Sequence, residues 1–232
     1  MKRMVVNDGY TKGRLRARPL RASEEAPPGL RPLELGAASE GYLYVSAVYR
    51  AQRPAPLVVL LHGAGEDARD GLALLRQQAD EAGLVLLALS SHGPTWDLIL
   101  GRGRYGPDVA AIDEALKWTF SSYAVDPERI ALGGYSDGAS YALSLGISNG
   151  DLVGHVLAFS PGFMAPASSV GSPRFFVSHG TRDGWLPVAR TSRRIVPELE
   201  QMGYEVCYRE FDGPHVVPPR IAREGVNWFT AR

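Results

Sequence analysis

Cysteine is almost absent from the chain: Cys207 stands alone among 232 residues, so no internal disulfide can form and a reducing, cytoplasmic setting is expected. In the strand-like run EVCYREF this thiol reads as a buried, inert side chain. An excess of either charge is also missing. Lysine plus arginine and aspartate plus glutamate number 25 each, which leaves no global field to draw in nucleic acid or an acidic membrane surface. No apolar run approaches the roughly 20 residues that a membrane-spanning helix needs. MKRMVVNDGYTKGR has no apolar core of the kind a secretory signal carries. HExxH, paired CxxC and EF-hand loops are lacking, so neither a metal nor another cofactor is expected. Internal repeats and low-complexity segments are likewise lacking, and the partner these absences leave is a small molecule without strong charge.

What is present is a chain with 45% hydrophobic residues, enough for one substantial core, and residues 1–232 are expected to form a single domain. Met1 to Gly13 reads as a loosely held polar leader. Arg14 to Arg21 alternates apolar and basic residues around a proline, the pattern of an exposed edge strand. A Pro/Gly/acidic connection, SEEAPPGLRP, then leads to a β-branched and aromatic strand, Tyr42 to Arg50, antiparallel to the first. From Pro56 the pattern changes. LVVLLHG is a continuous apolar run of the kind buried on both faces of a parallel sheet. Strands and helices then alternate: a helix over Asp70 to Ala82, the strand 84–90, a helix over Pro107 to Phe120, the strand RIALGGYS, a helix over Asp137 to Leu145, the strands HVLAFSPGF and RFFVSHGTRD, a helix over Val188 to Met202, the strand EVCYREFDG and a terminal helix from Pro219 to Thr230. The fold class is therefore α/β, a doubly wound, mostly parallel sheet with antiparallel N-terminal strands and helices on both faces. Exposed strand edges and helices are compatible with a homodimer, although no pattern demands one. The longest irregular connection, Ser91 to Gly106, leaves the carboxyl end of a strand, where open sheets of this type place their ligands.

The stretch around which the rest is organised is IALGGYSDGASY, an apolar strand that must turn into a helix within a few residues. Gly134-Tyr135-Ser136-Asp137-Gly138 puts Ser136 on the bend, with glycines that let the two elements approach. A hydroxyl there stands clear of the backbone, but it needs a base, and the base needs an orienting acid. His62 and His179 precede glycines at strand ends and His155 begins a strand, which are structural positions. His92 lies upstream in the long loop. His215, in the turn-rich FDGPHVVPP, can swing over the carboxyl edge and is the candidate base. Asp183 follows the intervening strand and is preferred as the acid to Asp151, a loop residue, and Asp212, a turn former. The order Ser136, Asp183, His215 is the one that a nucleophile elbow in this architecture requires.

An oxyanion needs preorganised donors. The candidates are the backbone N–H of Asp137, at a helix start, and that of Ala64 in HGAG. The rival reading of HGAG, a phosphate-binding turn, lacks a following lysine and a partner acid in the expected place. Trp96, Tyr105, Phe163 and Trp185 flank strand-end loops and are candidates to line an acyl or alcohol pocket, with ordinary packing the alternative for each.

LHGAGED, GGYSDGAS, SHGTRDGWLP and FDGPHVVP, taken jointly and in this order, resemble the carboxylesterase/phospholipase branch of the α/β-hydrolase superfamily, with some likeness to polyester depolymerase-type esterases. The resemblance runs from Leu57 to the C-terminus. It implies an α/β-hydrolase fold and hydrolysis of a small-molecule carboxylic ester through an acyl-enzyme, with Ser136, Asp183 and His215 as triad. Thioesterase, amidase and polyester depolymerase activities use the same machinery, and a non-catalytic binding module is the alternative of another class. Two departures bear on substrate. Asp137 stands where many acyl-protein thioesterases carry glutamine, and Phe163 to Pro173 is too short for a large lid. Both argue against long-chain or protein-acyl substrates, and the expected substrates are esters of short to medium acyl chains.

Overall fold

The computed structural model describes residues 8–19, 26–34 and 40–231. Along the chain the elements are α1 (Asp8–Thr11), β1 (Gly29–Glu34), β2 (Glu40–Val45), β3 (Ala55–Leu61), α2 (Ala68–Ala73), α3 (Arg76–Ala82), β4 (Val85–Leu89), α4 (Asp97–Leu100), α5 (Pro107–Ser122), β5 (Val125–Tyr135), α6 (Asp137–Ser148), β6 (His155–Phe159), β7 (Arg174–Gly180), α7 (Ser192–Gln201), β8 (Val206–Phe211) and α8 (Pro219–Thr230). One eight-stranded sheet runs in the order β1-β2-β4-β3-β5-β6-β7-β8. β2 is antiparallel to both neighbours, and all other pairs are parallel.

The apolar runs explain the layers. Every residue of β3 is buried, and side chains alternate across the sheet. Leu57, Val59 and Leu61 join the face packed by Ile112 and Leu116 of α5, Leu143 and Ile147 of α6 and Leu199 of α7. Val58 and Leu60 join the opposite face with Leu72 of α2, Ala79 of α3 and Ile221, Val226 and Phe229 of α8. Helix α6 is buried from Gly138 to Ser148, as expected of a helix apolar on nearly every side. The chain leaves β3 for β4 on one side and later enters β5 on the other. This reversal opens a crevice at the carboxyl ends of β3 and β5, the place where doubly wound sheets put their ligands.

The N-terminal expectations need correction. Arg14 to Pro19 is not a strand, and residues 20 and 21 lie outside the described residues. Leu15 and Ala17 are buried while the arginines point outward, which produces the strand-like alternation. The backbone donors, however, go to side chains: Leu15 N–H to Asn149 Oδ1 (2.8 Å), Arg16 and Ala17 N–H to Asp113 Oδ1 (2.6 and 2.7 Å). Arg14 and Arg18 both pair with Asp151 (2.9 and 2.5 Å). The edge strand is β1, which begins inside the segment expected to be a connection and runs two residues past it. Of the leader, residues 1–7 lie outside the described residues, and 8–13 is anchored, with a helical turn and Tyr10 Oη–H donating to Asp113 Oδ2 (2.9 Å). The helix expected over Asp70 to Ala82 is two helices broken at Leu74 and Leu75. That over Val188 to Met202 opens with a 3₁₀ turn, Val188–Arg190.

Candidate active site

Ser136 sits between β5 and α6 at φ 55°, ψ −118°, a left-handed backbone that a residue with a Cβ adopts only at a cost of about 1–3 kcal/mol. The flanking glycines make the bend. A Cβ on Gly134 would lie 2.4 Å from the carbonyl carbon of Gly138, and one on Gly138 would lie 2.1 Å from the Leu61 carbonyl oxygen. The turn is thus pressed against its own start and against the end of β3. Ser136 N–H donates to the Phe159 carbonyl (2.9 Å), which fixes it to β6. Ser160, at the end of that neighbouring strand, is another non-glycine residue of this rim with positive φ (53°).

β8 ends at Phe211, and the segment after it is pinned to the end of β7. Thr181 and Arg182 N–H donate to the carbonyls of Phe211 and Gly213 (2.8 and 2.9 Å), and a Cβ on Gly180 would meet the Pro214 carbonyl at 2.3 Å. This contact carries His215 over the crevice. Its Nε2 lies 2.9 Å from Ser136 Oγ, and its Nδ1 lies 2.5 Å from Asp183 Oδ2. A neutral ring with Nδ1–H donating to the carboxylate leaves the Nε2 lone pair facing the serine hydroxyl. Tyr135 steadies the ring from below: its hydroxyl donates to the His215 carbonyl (2.7 Å) and its ring centroid lies 4.8 Å from the imidazole. Burial, then the charges of Glu66 and Asp183, push the tyrosine up to about 12, so it keeps its proton.

Asp183 is a hub. Oδ1 accepts the N–H groups of Trp185 and Leu186 (2.9 and 2.8 Å), while Oδ2 faces both His215 Nδ1 and His179 Nε2 (3.1 Å). Burial alone would raise its pKa, but the Leu186 N–H, His215 and the Trp185 N–H outweigh it and hold the carboxyl below its ordinary value. The acid is therefore ionised near neutrality. His179 Nε2–H also donates to the Leu186 carbonyl (2.8 Å), and its Nδ1 faces Ser192 Oγ (2.7 Å). Burial lowers its pKa, which keeps it a neutral donor. Asp212, one of the competing acids, pairs with exposed Arg182 (2.7 Å), and Asp151 with the N-terminal arginines.

The loop after β3 is held from several sides. His62 Nδ1–H donates to the Gly63 carbonyl (2.7 Å) and Nε2 accepts Ser91 N–H (2.9 Å). Trp96 Nε1–H donates to the His62 carbonyl (2.9 Å), and Gly65, at φ +75°, donates to Pro94 (2.7 Å). Gly63 N–H is taken by Glu66 Oε2 (2.7 Å), whereas Ala64 N–H makes no bond with a described residue. Asp137 N–H stands in the first turn of α6, where the helix supplies no carbonyl to it. The Asp137 side chain is turned aside, accepting from Thr95 Oγ1 (2.7 Å).

The aromatic candidates separate. Trp96 is 1% exposed and packs 5.1 Å from Tyr141 and 4.9 Å from His62, so it supports the loop and offers no pocket wall. Tyr105 is buried against Tyr141 and borders a cavity of about 450 Å³ along residues 92–108. Phe163 is half-buried on the core, its segment tied to Ser140 Oγ by Gly162 N–H (2.9 Å). Trp185 is 84% exposed beside Asp183 and encloses nothing. A second cavity, about 370 Å³, lies against the serine turn and is lined by Glu66, Asp70, Gln78, Tyr135, Val216 and Val217 among others. Glu66, Tyr135 and His179 are contributors that the sequence reading missed. The His179 to Asp183 spacing, bracketing a turn, was the available signal for one of them.

Other ligand chemistries find less here. Among the described residues no group of three or more His, Cys, Asp or Glu is placed to hold a metal ion, and no helix is long and apolar enough to cross a membrane. Gly101 to Gly106 matches G-x-G-x-x-G before α5, but it follows a helical turn rather than a strand. The anion position at that helix start is already filled: Asp97 Oδ2 accepts the N–H groups of Gly106 and Asp108 (2.9 and 2.8 Å). Burial and the Asp108 charge push Asp97 up to about 6.

No protein-family model matches the chain, and no curated protein matches it in sequence. Solved structures do match in fold. Esterase PE8 superposes with a TM-score of 0.66 at 23% identity, over 83% of this chain and 98% of that one. A carboxylesterase of Bacillus cereus gives 0.63 at 18%, over 84% and 95%. A phospholipase/carboxylesterase of Dyadobacter fermentans gives 0.59 at 23%, over 81% and 95%. The chain has the α/β-hydrolase fold, with antiparallel N-terminal strands and without a large lid among the described residues.

Proposed function

We propose that the chain is a serine hydrolase that cleaves carboxylic esters of short to medium acyl chains through an acyl-enzyme on Ser136. The observation that carries this reading is the unbroken line from Ser136 Oγ to His215 Nε2 (2.9 Å) and from His215 Nδ1 to Asp183 (2.5 Å), set on a strained turn. Ser136 Oγ attacks the ester carbonyl carbon as His215 Nε2 takes its proton. Asp183 fixes the tautomer and stabilises the imidazolium without taking the proton. The carbonyl oxygen becomes an oxyanion that the N–H groups of Ala64 and Asp137 receive. Collapse breaks the bond to the alcohol oxygen, which leaves with the proton from His215. Water, deprotonated by the same histidine, then releases the acid and restores the serine.

The esterase character of the structural neighbours supports this chemistry, and the lack of a large lid among the described residues supports small acyl groups. A fluorophosphonate probe is expected to label Ser136, located by peptide mass spectrometry. Folded protein that stays unlabelled speaks for a non-catalytic module. In a substrate panel, kcat/KM for p-nitrophenyl acetate and butyrate is expected to exceed that for long-chain esters, thioesters, amides and oligomeric hydroxyacid esters. A thioester preference would reverse the ranking.

His179 enters the same scheme as a positioning residue. Replacing it by phenylalanine removes a buried N–H that donates to the Leu186 carbonyl and lies 3.1 Å from the charged Asp183 carboxylate, a contact worth about 1.5–3 kcal/mol. His179→Phe should therefore lower kcat about 10- to 100-fold with KM little changed. It should also lower Tm, since the Leu186 carbonyl and the Ser192 hydroxyl lose their partner. Equal losses in kcat and in folded fraction would reduce the role to stability alone.

A further inference from the structure

We infer that the cavity beside Ser136 receives a positively charged arm of the substrate, so that the preferred esters carry a protonated primary amine. This rests on the ester-hydrolase reading and specifies its substrate class. The cavity adjoins the reacting centre through three neighbours of it: Tyr135 precedes Ser136, Val216 follows His215, and Glu66 holds the N–H of Gly63 next to Ala64. An arm entering it would belong to a molecule whose carbonyl lies at the serine.

Its walls are rich in acceptors. Glu66 Oε2 accepts Gly63 N–H (2.7 Å) and Asp70 Oδ2 accepts Asp67 N–H (3.1 Å), but neither carboxylate makes an ion pair with a described residue. Among the described residues no lysine, arginine or histidine lines the cavity. Of the arginines adjacent in sequence to lining residues, three are engaged elsewhere: Arg69 Nε–H donates to Tyr42 Oη (2.8 Å), Arg76 pairs with Asp80 (3.4 Å) and Arg220 with Glu224 (3.1 Å).

A second, independent observation comes from α3. Gln78 lines the same cavity and is only 4% exposed, and its buried Oε1 has no hydrogen-bond partner among the described residues. A buried acceptor left unpaired is costly, and a donor from outside the chain is one way to satisfy it. The Tyr135 hydroxyl cannot supply one, since it donates to the His215 carbonyl. Two carboxylates therefore line a space without a lining cation, and Gln78, which carries the unpaired oxygen, lies between that space and a smaller neighbouring one that Arg223 lines. An ammonium group brings three donors and one positive charge. Val216, Val217 and Ala222 supply apolar contact for the methylenes that would carry it. A neutral arm of equal length gains only the apolar part, and a carboxylate arm is repelled.

The test compares the aminohexanoyl, heptanoyl and adipoyl esters of one phenol and, for the alcohol side, aminobutyl and pentyl hexanoates. In at least one of the two series, kcat/KM for the ammonium ester should exceed that of its neutral isostere about tenfold at low salt. Among the acyl esters the adipoyl one should be slowest. The preference should shrink as ionic strength rises and collapse toward unity in Glu66→Gln and in Asp70→Asn, read as the ratio of the two esters within each variant. Neutral esters cleaved as fast as or faster than ammonium esters in both series, or a preference that survives both substitutions, would overturn the inference while leaving the hydrolase reading intact. Failure to cleave any of these esters, together with no fluorophosphonate labelling of Ser136, would overturn both.

Discussion

Ser136→Ala is expected to lower the turnover of p-nitrophenyl butyrate by about 10⁴-fold or more, with the fold retained. The hydroxyl is the only atom removed, and the one hydrogen bond its Oγ makes among the described residues is with His215. Alanine keeps a Cβ at the same left-handed backbone, so the strain of the turn is unchanged and no buried contact is lost. His215 remains held by Asp183 and Tyr135 with nothing to deprotonate. Rate measurements on the variant, paired with a thermal melt, separate lost chemistry from lost structure. Unchanged turnover in a clean preparation would remove Ser136 from the mechanism.

Gly138→Ala should be the most damaging single methyl group in the chain. Its Cβ would stand 2.1 Å from the carbonyl oxygen of Leu61 and 2.5 Å from that of His62, both backbone atoms. Neither can swing aside like a side chain. The start of α6 must back away from the end of β3, which costs about 3 kcal/mol or more. It also moves Asp137 N–H relative to Ala64. Urea unfolding is the measurement. Gly184→Ala is the matched control: a Cβ there meets nothing within 4 Å, so stability should stay within about 0.5 kcal/mol. Equal stabilities for the two variants would mean that the elbow does not need the close approach ascribed to it.

How much of this was legible in the sequence follows from how local each cause is. β3, β4 and β6 are buried on both faces, so each shows as an uninterrupted apolar run. The order Ser136, Asp183, His215 could be read because each residue follows a strand end that the sequence marks with glycine or proline. Arg14 to Ala17 misled because its alternation is real while the partners of its backbone, Asn149 and Asp113, lie roughly a hundred residues or more away. The break at Leu74 and Leu75 carries no glycine or proline to announce it. Residue type proposed Trp96 and Trp185 as pocket walls, but neighbours brought together only by folding bury the first and leave the second in water. His179 looked like an ordinary strand-end histidine until Asp183 was seen within reach of its ring.

The exposure of Trp185 has a practical consequence. Its backbone N–H grips Asp183 while its indole reaches into solvent, and Trp96 is sealed in the interior. Trp118 is 38% exposed and Trp228 half-buried, so an aqueous quencher reaches the Trp185 indole more readily than any of the other three. Whatever covers the rim next to Asp183, whether a bulky ester or another protein surface, shields that indole. The molecule thus carries its own optical gauge of occupancy, readable without a dye.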